Sequence, residues 1–161
     1  MRKKNQEIKD KAKIEDILQS SIICRIAMTD GNRPYLLPFN YGYKENCIYI
    51  HSAKKGKKLD ILRKNNYVCF EIEQEPKIIT GETACDWTTE YRSIVGYGNI
   101  DIIDDTEEKK KALKILMEQH GAPELNTFEE KDLKRMMILK LKISEMTAKQ
   151  SSSYIKPKEE N

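Results

Sequence analysis

The sequence predicts a mainly β domain with flanking helices, in which six antiparallel strands build a small barrel. Three observations carry this expectation. Apolar residues alternate with other residues in six separate runs, the two-residue period of a strand. Turn-forming clusters, Asp30-Gly31-Asn32 and Lys44-Glu45-Asn46, divide the first three runs. Apolar residues at helical spacing appear only in short stretches before, between and after these runs.

Ile14, Ile17 and Leu18 share a helix face, so a first helix is expected over 9–19, ending at Ser20-Ser21. In the next run Ile22, Cys24, Ile26 and Met28 share one face and Ile23, Arg25 and Ala27 the other. That pattern fits a strand buried on most of both faces. A second strand runs from Pro34 to Tyr43 and a third from Cys47 to Ser52, so 22–52 reads as a three-stranded meander. Leu59, Ile61 and Leu62 mark a short helix in the lysine-rich stretch 54–66. Val68, Phe70 and Ile72 alternate with Glu71 and Glu73 in a fourth strand, 67–73. Residues 76–89 read as irregular, and a long strand follows over about 91–103. Asp104-Asp105-Thr106 suits a helix N-cap, with Glu107 and Glu108 at the positive end of the helix dipole. This helix should bury Leu113, Leu116 and Met117 and stop before Gly121-Ala122-Pro123; a smaller one begins after Thr127. The sixth strand, 137–143, sets Met137, Leu139, Leu141 and Ile143 opposite Lys140 and Lys142. The reading is a single domain over 1–149 and a polar tail over 150–161.

Composition narrows the function. The chain of 161 residues fits one domain with a real core. A net charge of +3, from 29 basic and 26 acidic side chains, argues against a nucleic-acid partner. No run approaches the roughly 20 apolar residues that span a bilayer, and the charged stretch 1–13 has no apolar signal core. A cytoplasmic location with no membrane partner is expected. Cys24, Cys47, Cys69 and Cys85 form no C-x-x-C pair and read as small buried hydrophobes in a reducing compartment. His51 and His120 stand far apart without clustered carboxylates, so no metal site is expected.

The chemistry gathers around Lys54-Lys55-Gly56-Lys57-Lys58. A lysine run is most often a solvated face. This one opens a helix directly after the strand ending in His51-Ser52, where backbone N–H groups attract anions. Gly56 lets backbone approach closely, Ser52 can donate a hydrogen bond, and the lysines supply point charges for a phosphate. The spacing is not that of a Walker A loop.

The run from Cys24 to Gly31, then Pro34-Tyr35, Pro38 and Asn40, then His51-Ser52-Ala53 followed by Gly56-Lys57-Lys58-Leu59-Asp60, resembles the nitroimidazole-resistance family. So do Cys85-Asp86-Trp87 with Tyr91, Ser93, Val95, Gly96 and Gly98, and the closing stretch Ile143 to Lys149. That family groups split-barrel proteins related to pyridoxamine-phosphate oxidase that bind flavin mononucleotide (FMN). The resemblance implies a six-stranded FMN-binding split barrel and a homodimer with its cofactor at the interface. By position, Lys57 and Lys58 would hold the phosphate with Ser52 and Ala53 beside it. Pro38, Asn40 and Tyr41 would line the ring, and Trp87, Tyr91 and Ser93 would reach it from the partner chain. The arginine-rich C-terminal substrate motif of the oxidase itself has no counterpart in 151–161.

His51 would either hydrogen-bond near the ring as a structural residue or act as a proton donor or substrate contact. Trp87 would pack in the core or cover the flavin. The implied activity is FMN-dependent reduction of small electron-poor molecules such as nitroimidazoles. The alternative is a non-catalytic flavin- or haem-binding module.

Overall fold

The computed structural model describes residues 4–152. Its elements are β1 (Glu7–Ile8), α1 (Lys11–Ser20), β2 (Ile23–Asp30), β3 (Arg33–Asn40), β4 (Gly42–Lys44), β5 (Cys47–Ala53), α2 (Lys57–Lys64), β6 (Tyr67–Ile79), β7 (Thr88–Ile103), α3 (Thr106–Gln119), α4 (Glu130–Arg135) and β8 (Met136–Gln150). The strands form one antiparallel sheet in the order β3-β2-β6-β7-β8-β5-β4, with β1 added on β8. The six long strands are those expected. The sheet curls into a split barrel that stays open, because β3 and β5 approach without a hydrogen-bonded ladder.

The alternation read from sequence fills this barrel. Ile26, Ile48, Ile50, Phe70, Ile72, Ile94 and Leu141 face inward and are buried. Ile17 and Leu18 of α1 and Leu59 and Leu62 of α2 pack against them. A second cluster lies behind β8, where Ile138 meets Ala112, Leu113 and Leu116 of α3 and Leu133 of α4. Thus β8 is buried on both faces, with Leu139 turned to the first cluster and Ile138 to the second. Met117, expected in this core, is only half-buried. The caps follow the sequence: Asp10 accepts from the Ala12 N–H at 2.9 Å and Asp105 from the Glu108 N–H at 2.9 Å.

The expected meander over 22–52 is corrected. Tyr41 interrupts the strand, leaving β3 and β4 at opposite ends of the sheet order. The cause is burial: Tyr41 is 0% exposed and its hydroxyl donates to the Leu18 carbonyl at 2.8 Å. The hairpins β2–β3 and β4–β5 are therefore separate. Pairing also carries β6 and β7 into the stretch expected to be irregular, leaving 80–87 as the connection. Likewise β8 runs past 143 to Gln150, which opposes Arg92. The expected tail, 150–161, lies outside the described residues from 153 onward. Among the cysteines only Cys24 is buried; Cys47 and Cys69 are half-buried and Cys85 is exposed.

Gly98 marks the tightest crossing of the sheet, at a register shift between β7 and β8. A Cβ there would stand 2.1 Å from the Lys142 carbonyl oxygen. Gly98→Ala is therefore expected to destabilise the protein by about 1–3 kcal/mol, read as a lowered urea midpoint with an unchanged slope.

Candidate functional site

The end of β5 alternates around the barrel wall. His51 and Ala53 face outward and are exposed, whereas Ser52 turns inward and is 4% exposed. The Ser52 hydroxyl donates to the Ala53 carbonyl at 3.0 Å. The chain then passes through Gly56, at φ 130°, into α2. A side chain is strained at that angle, which explains the glycine. No side chain caps α2, and the Gly56 carbonyl accepts the Leu59 and Asp60 N–H groups at 2.9 and 3.4 Å. The N–H groups of Lys57 and Lys58 precede the first helical bond and face the space before the helix. Such a terminus is suited to an anion.

Three further residues join this end. The Lys57 ammonium lies 3.1 Å from Asp30 and 5.1 Å from the Tyr35 ring centre. Arg33 directly opposes Asp30 in the β2–β3 ladder, so the two share a face. Sequence reading missed Asp30, Arg33 and Tyr35 as site residues. The signal was present in Asp30-Gly31-Asn32, since a two-residue turn places Asp30 opposite Arg33.

The other predicted residues sit elsewhere in the protomer. Pro38 and Asn40 are exposed on the outer face of β3, opposite Arg25 and Ile23. Asn40 lies five residues beyond Tyr35, about 17 Å along the strand. It does not share a ladder with His51, because β5 pairs with β4 and β8. Tyr41, expected to line the ring, turns its side chain into the core. It is wholly buried, and burial pushes its phenol well above the usual tyrosine range.

Trp87 is exposed in the β6–β7 connection, with its indole N–H donating to the Gly81 carbonyl at 3.0 Å. The core-packing role considered for it is thereby excluded within the protomer. Tyr91 is tied to Ser151, whose N–H donates to the Tyr91 carbonyl at 2.9 Å. The Lys149 ammonium lies 5.5 Å from the centre of the Tyr91 ring. Ser93 opposes both Glu73 and Lys149.

A groove of about 760 Å³ connects several of these positions. It runs between the end of α1 and the strands β2, β6 and β7, lined by Ser21, Ile23, Arg25, Glu73, Gln74 and Arg92 among others. Ile23 is the cross-strand neighbour of Asn40 and Glu73 that of Ser93. The groove therefore lies between these two predicted ring residues and has the size of a small-molecule site. Among the described residues no three His, Cys, Asp or Glu side chains are grouped to hold a metal ion, and no helix is long and apolar enough to cross a membrane.

An open antiparallel barrel whose lysine-flanked helix start faces a strand hairpin defines a split-barrel protein. The family model described as pyridoxamine 5'-phosphate oxidase matches residues 10–150, and the chain belongs to that family. A solved structure of a proposed 5-nitroimidazole antibiotic resistance protein from Bacteroides thetaiotaomicron is 29% identical, with 89% of this chain and 86% of that one covered and a TM-score of 0.79. The FAD- and haem-binding protein from Mycobacterium smegmatis is 18% identical, covering 91% and 73%, at a TM-score of 0.79. A flavocytochrome from Azotobacter vinelandii is 16% identical, covering 91% and 69%, at a TM-score of 0.76. No protein of curated function matches the sequence.

Tyr41→Phe separates packing from ligand contact. The Leu18 carbonyl keeps a second donor, the Gln119 side-chain amide at 3.1 Å. The variant is expected to lose about 0.5–1.5 kcal/mol of stability and to bind flavin with unchanged affinity in a fluorescence titration.

Proposed function

We propose that the protein is a homodimeric FMN-binding flavoprotein that reduces small, flat, electron-poor molecules such as nitroimidazoles. The observation that carries the reading is the start of α2. It offers two N–H groups without helical partners, with Lys57 and Lys58 at the same terminus, and no side chain of its own caps it. That arrangement fits a phosphate monoester at the end of a flexible chain. The likeness to the Bacteroides protein supports the choice of nitro compounds.

FMN, when bound, supplies the electron-transfer chemistry. The protein's part is to hold the phosphate through Lys57 and Lys58 and to present Pro38 and Asn40 along the outer face of β3. Asn40 offers both donors and an acceptor to a polar ring edge. Ala53 is exposed beside the phosphate position. The second copy supplies Trp87, Tyr91 and Ser93 together with the adjoining groove. The sheet itself supports a partner of this kind. Its outer face exposes Leu36, Tyr67, Val95 and Tyr97, and the rings of Tyr67 and Tyr97 stack at 6.1 Å. A cytoplasmic location accords with flavin chemistry on small solutes and belongs to the same proposal.

Two measurements test the reading. FMN should bind at least about tenfold more tightly than riboflavin, since two charge-assisted contacts are each worth roughly 1.5–3 kcal/mol. Lys57→Ala combined with Lys58→Ala should abolish the preference and flatten its salt dependence. Equal affinities in the native protein would contradict the phosphate role.

The second is stopped-flow reoxidation. Protein reduced anaerobically with dithionite should be reoxidised by a nitroimidazole faster than free reduced FMN. Rates equal to those of free FMN would leave a non-catalytic flavin module, and a Soret band in the purified protein would leave a haem module. His51 is exposed on the outer face. His51→Ala should slow reoxidation by about tenfold or less, whereas loss of a general acid costs about 10²–10⁴-fold.

A further inference from the structure

Asp104 is bonded to two lysines at once, only one of which reaches the surface. The Lys54 ammonium lies 2.8 Å from Asp104 Oδ1 and 3.0 Å from Oδ2. Lys109 also donates to Asp104 Oδ1, and to the Leu133 carbonyl at 2.9 Å. The Lys109 side chain is 3% exposed, against 51% for Asp104. The two lysines hold the Asp104 carboxyl below its ordinary range, the bond from Lys109 being the larger cause.

This chain of bonds joins parts far apart in sequence. Lys54 lies between the last residue of β5 and Gly56, the residue directly before α2. Asp104 directly precedes the N-cap of α3, and Leu133 belongs to α4. The phosphate lysines thus sit at the end of a short segment fastened to the second core.

We propose that Asp104 and Lys109 are positioning residues for the cofactor phosphate: through Lys54 they fix the β5–α2 segment so that the start of α2 is already in place when FMN arrives. The inference rests on the FMN reading above, and it makes Lys54 an anchor instead of a phosphate ligand. An exposed ion pair alone contributes little, because both side chains remain free to move. Burial of Lys109 changes this. Its ammonium cannot lose Asp104 without standing as an uncompensated buried charge. The carboxylate therefore has one favourable place, and Lys54 is drawn to it. A segment held before binding spares the ordering entropy otherwise spent during binding.

Electrostatics alone predicts the opposite behaviour. Asp104 neutralises Lys54, so removing its charge would raise the positive potential near the phosphate and tighten FMN binding. Positioning predicts weaker binding.

The test compares dissociation constants for FMN and riboflavin, by flavin fluorescence quenching, in the full chain stripped of flavin. Lys109→Met keeps the buried stem and removes only the ammonium; Asp104→Asn removes the carboxylate charge. Each is expected to weaken FMN binding by about tenfold, comparable to losing one charge-assisted contact, while riboflavin binding is unchanged. If Asp104→Asn does not fold with Lys109 left unpaired, the combined variant Asp104→Asn with Lys109→Met, which removes one charge of each sign, decides in its place: positioning predicts weaker FMN binding, whereas electrostatics alone predicts no change. FMN binding unchanged or tightened in Asp104→Asn or in the combined variant would overturn the inference, as would equal weakening of both ligands, which marks a merely structural role. A native protein without preference for FMN would overturn the phosphate reading itself, which the variants then cannot rescue.

Discussion

The bond from the Tyr41 hydroxyl to the Leu18 carbonyl sits at the point where the chain leaves one end of the sheet for the other. Before it, β3 pairs only with β2; after it, β4 and β5 build onto β8. Burying this large side chain under α1 ends the β3 ladder and reverses the role of the strand that follows. The consequence is a barrel that is split. Its open seam runs between β3 and β5, and α2 leaves β5 to set Lys57 against the β2–β3 turn. The proposed phosphate position is therefore a product of the seam. In a closed barrel β5 would be hydrogen-bonded along β3, and the turn, Tyr35 and the start of α2 would not meet in this way.

Charge is distributed around that seam with some economy. Of the four lysines in the segment, Lys54 is held by Asp104 and Lys57 by Asp30. Neither Lys55 nor Lys58 forms an ion pair with any described residue. The acidic partners come from two different sides, the second core and the β2–β3 hairpin. One partner is backed by a buried ammonium and the other stands beside Arg33. The first is suited to holding a segment still. The second, partly exposed, can yield Lys57 to a stronger anion without leaving a charge buried.

Much of this was legible in the residues. Alternation placed the inward faces of β6 and β8 correctly, because each of these strands meets a buried cluster on at least one side, whereas β2, expected to be buried on most of both faces, buries only the face of Cys24, Ile26 and Met28. The Asp105 cap and the Gly56 start were legible too, since both depend on local chemistry. What could not be read was set by partners distant in sequence. Tyr41 looks like any strand tyrosine until α1 is folded over it. The extensions of β6, β7 and β8 lack strong apolar alternation and exist because long neighbours pair with them. Lys109 is a lysine in a charged helix, and only the arrival of Asp104 and Leu133 explains its burial. The candidate site shows the same division between local and distant residues. The lysine segment is local and can be read as a candidate from its own residues, whereas Asp30, Arg33 and Tyr35 come from a hairpin that only the barrel seam brings to it. Asn40 and Ser93, placed by resemblance, pair across strands with Ile23 and Glu73, which line one groove.

In the proposed assembly the seam and the outer sheet face become one flavin site only when two copies meet. Light scattering coupled to absorbance across a single chromatographic peak tests it most directly. A site shared between two copies requires a mass of twice 18.8 kDa carrying flavin absorption at one equivalent per chain. A particle of 18.8 kDa that retains its flavin would contradict it.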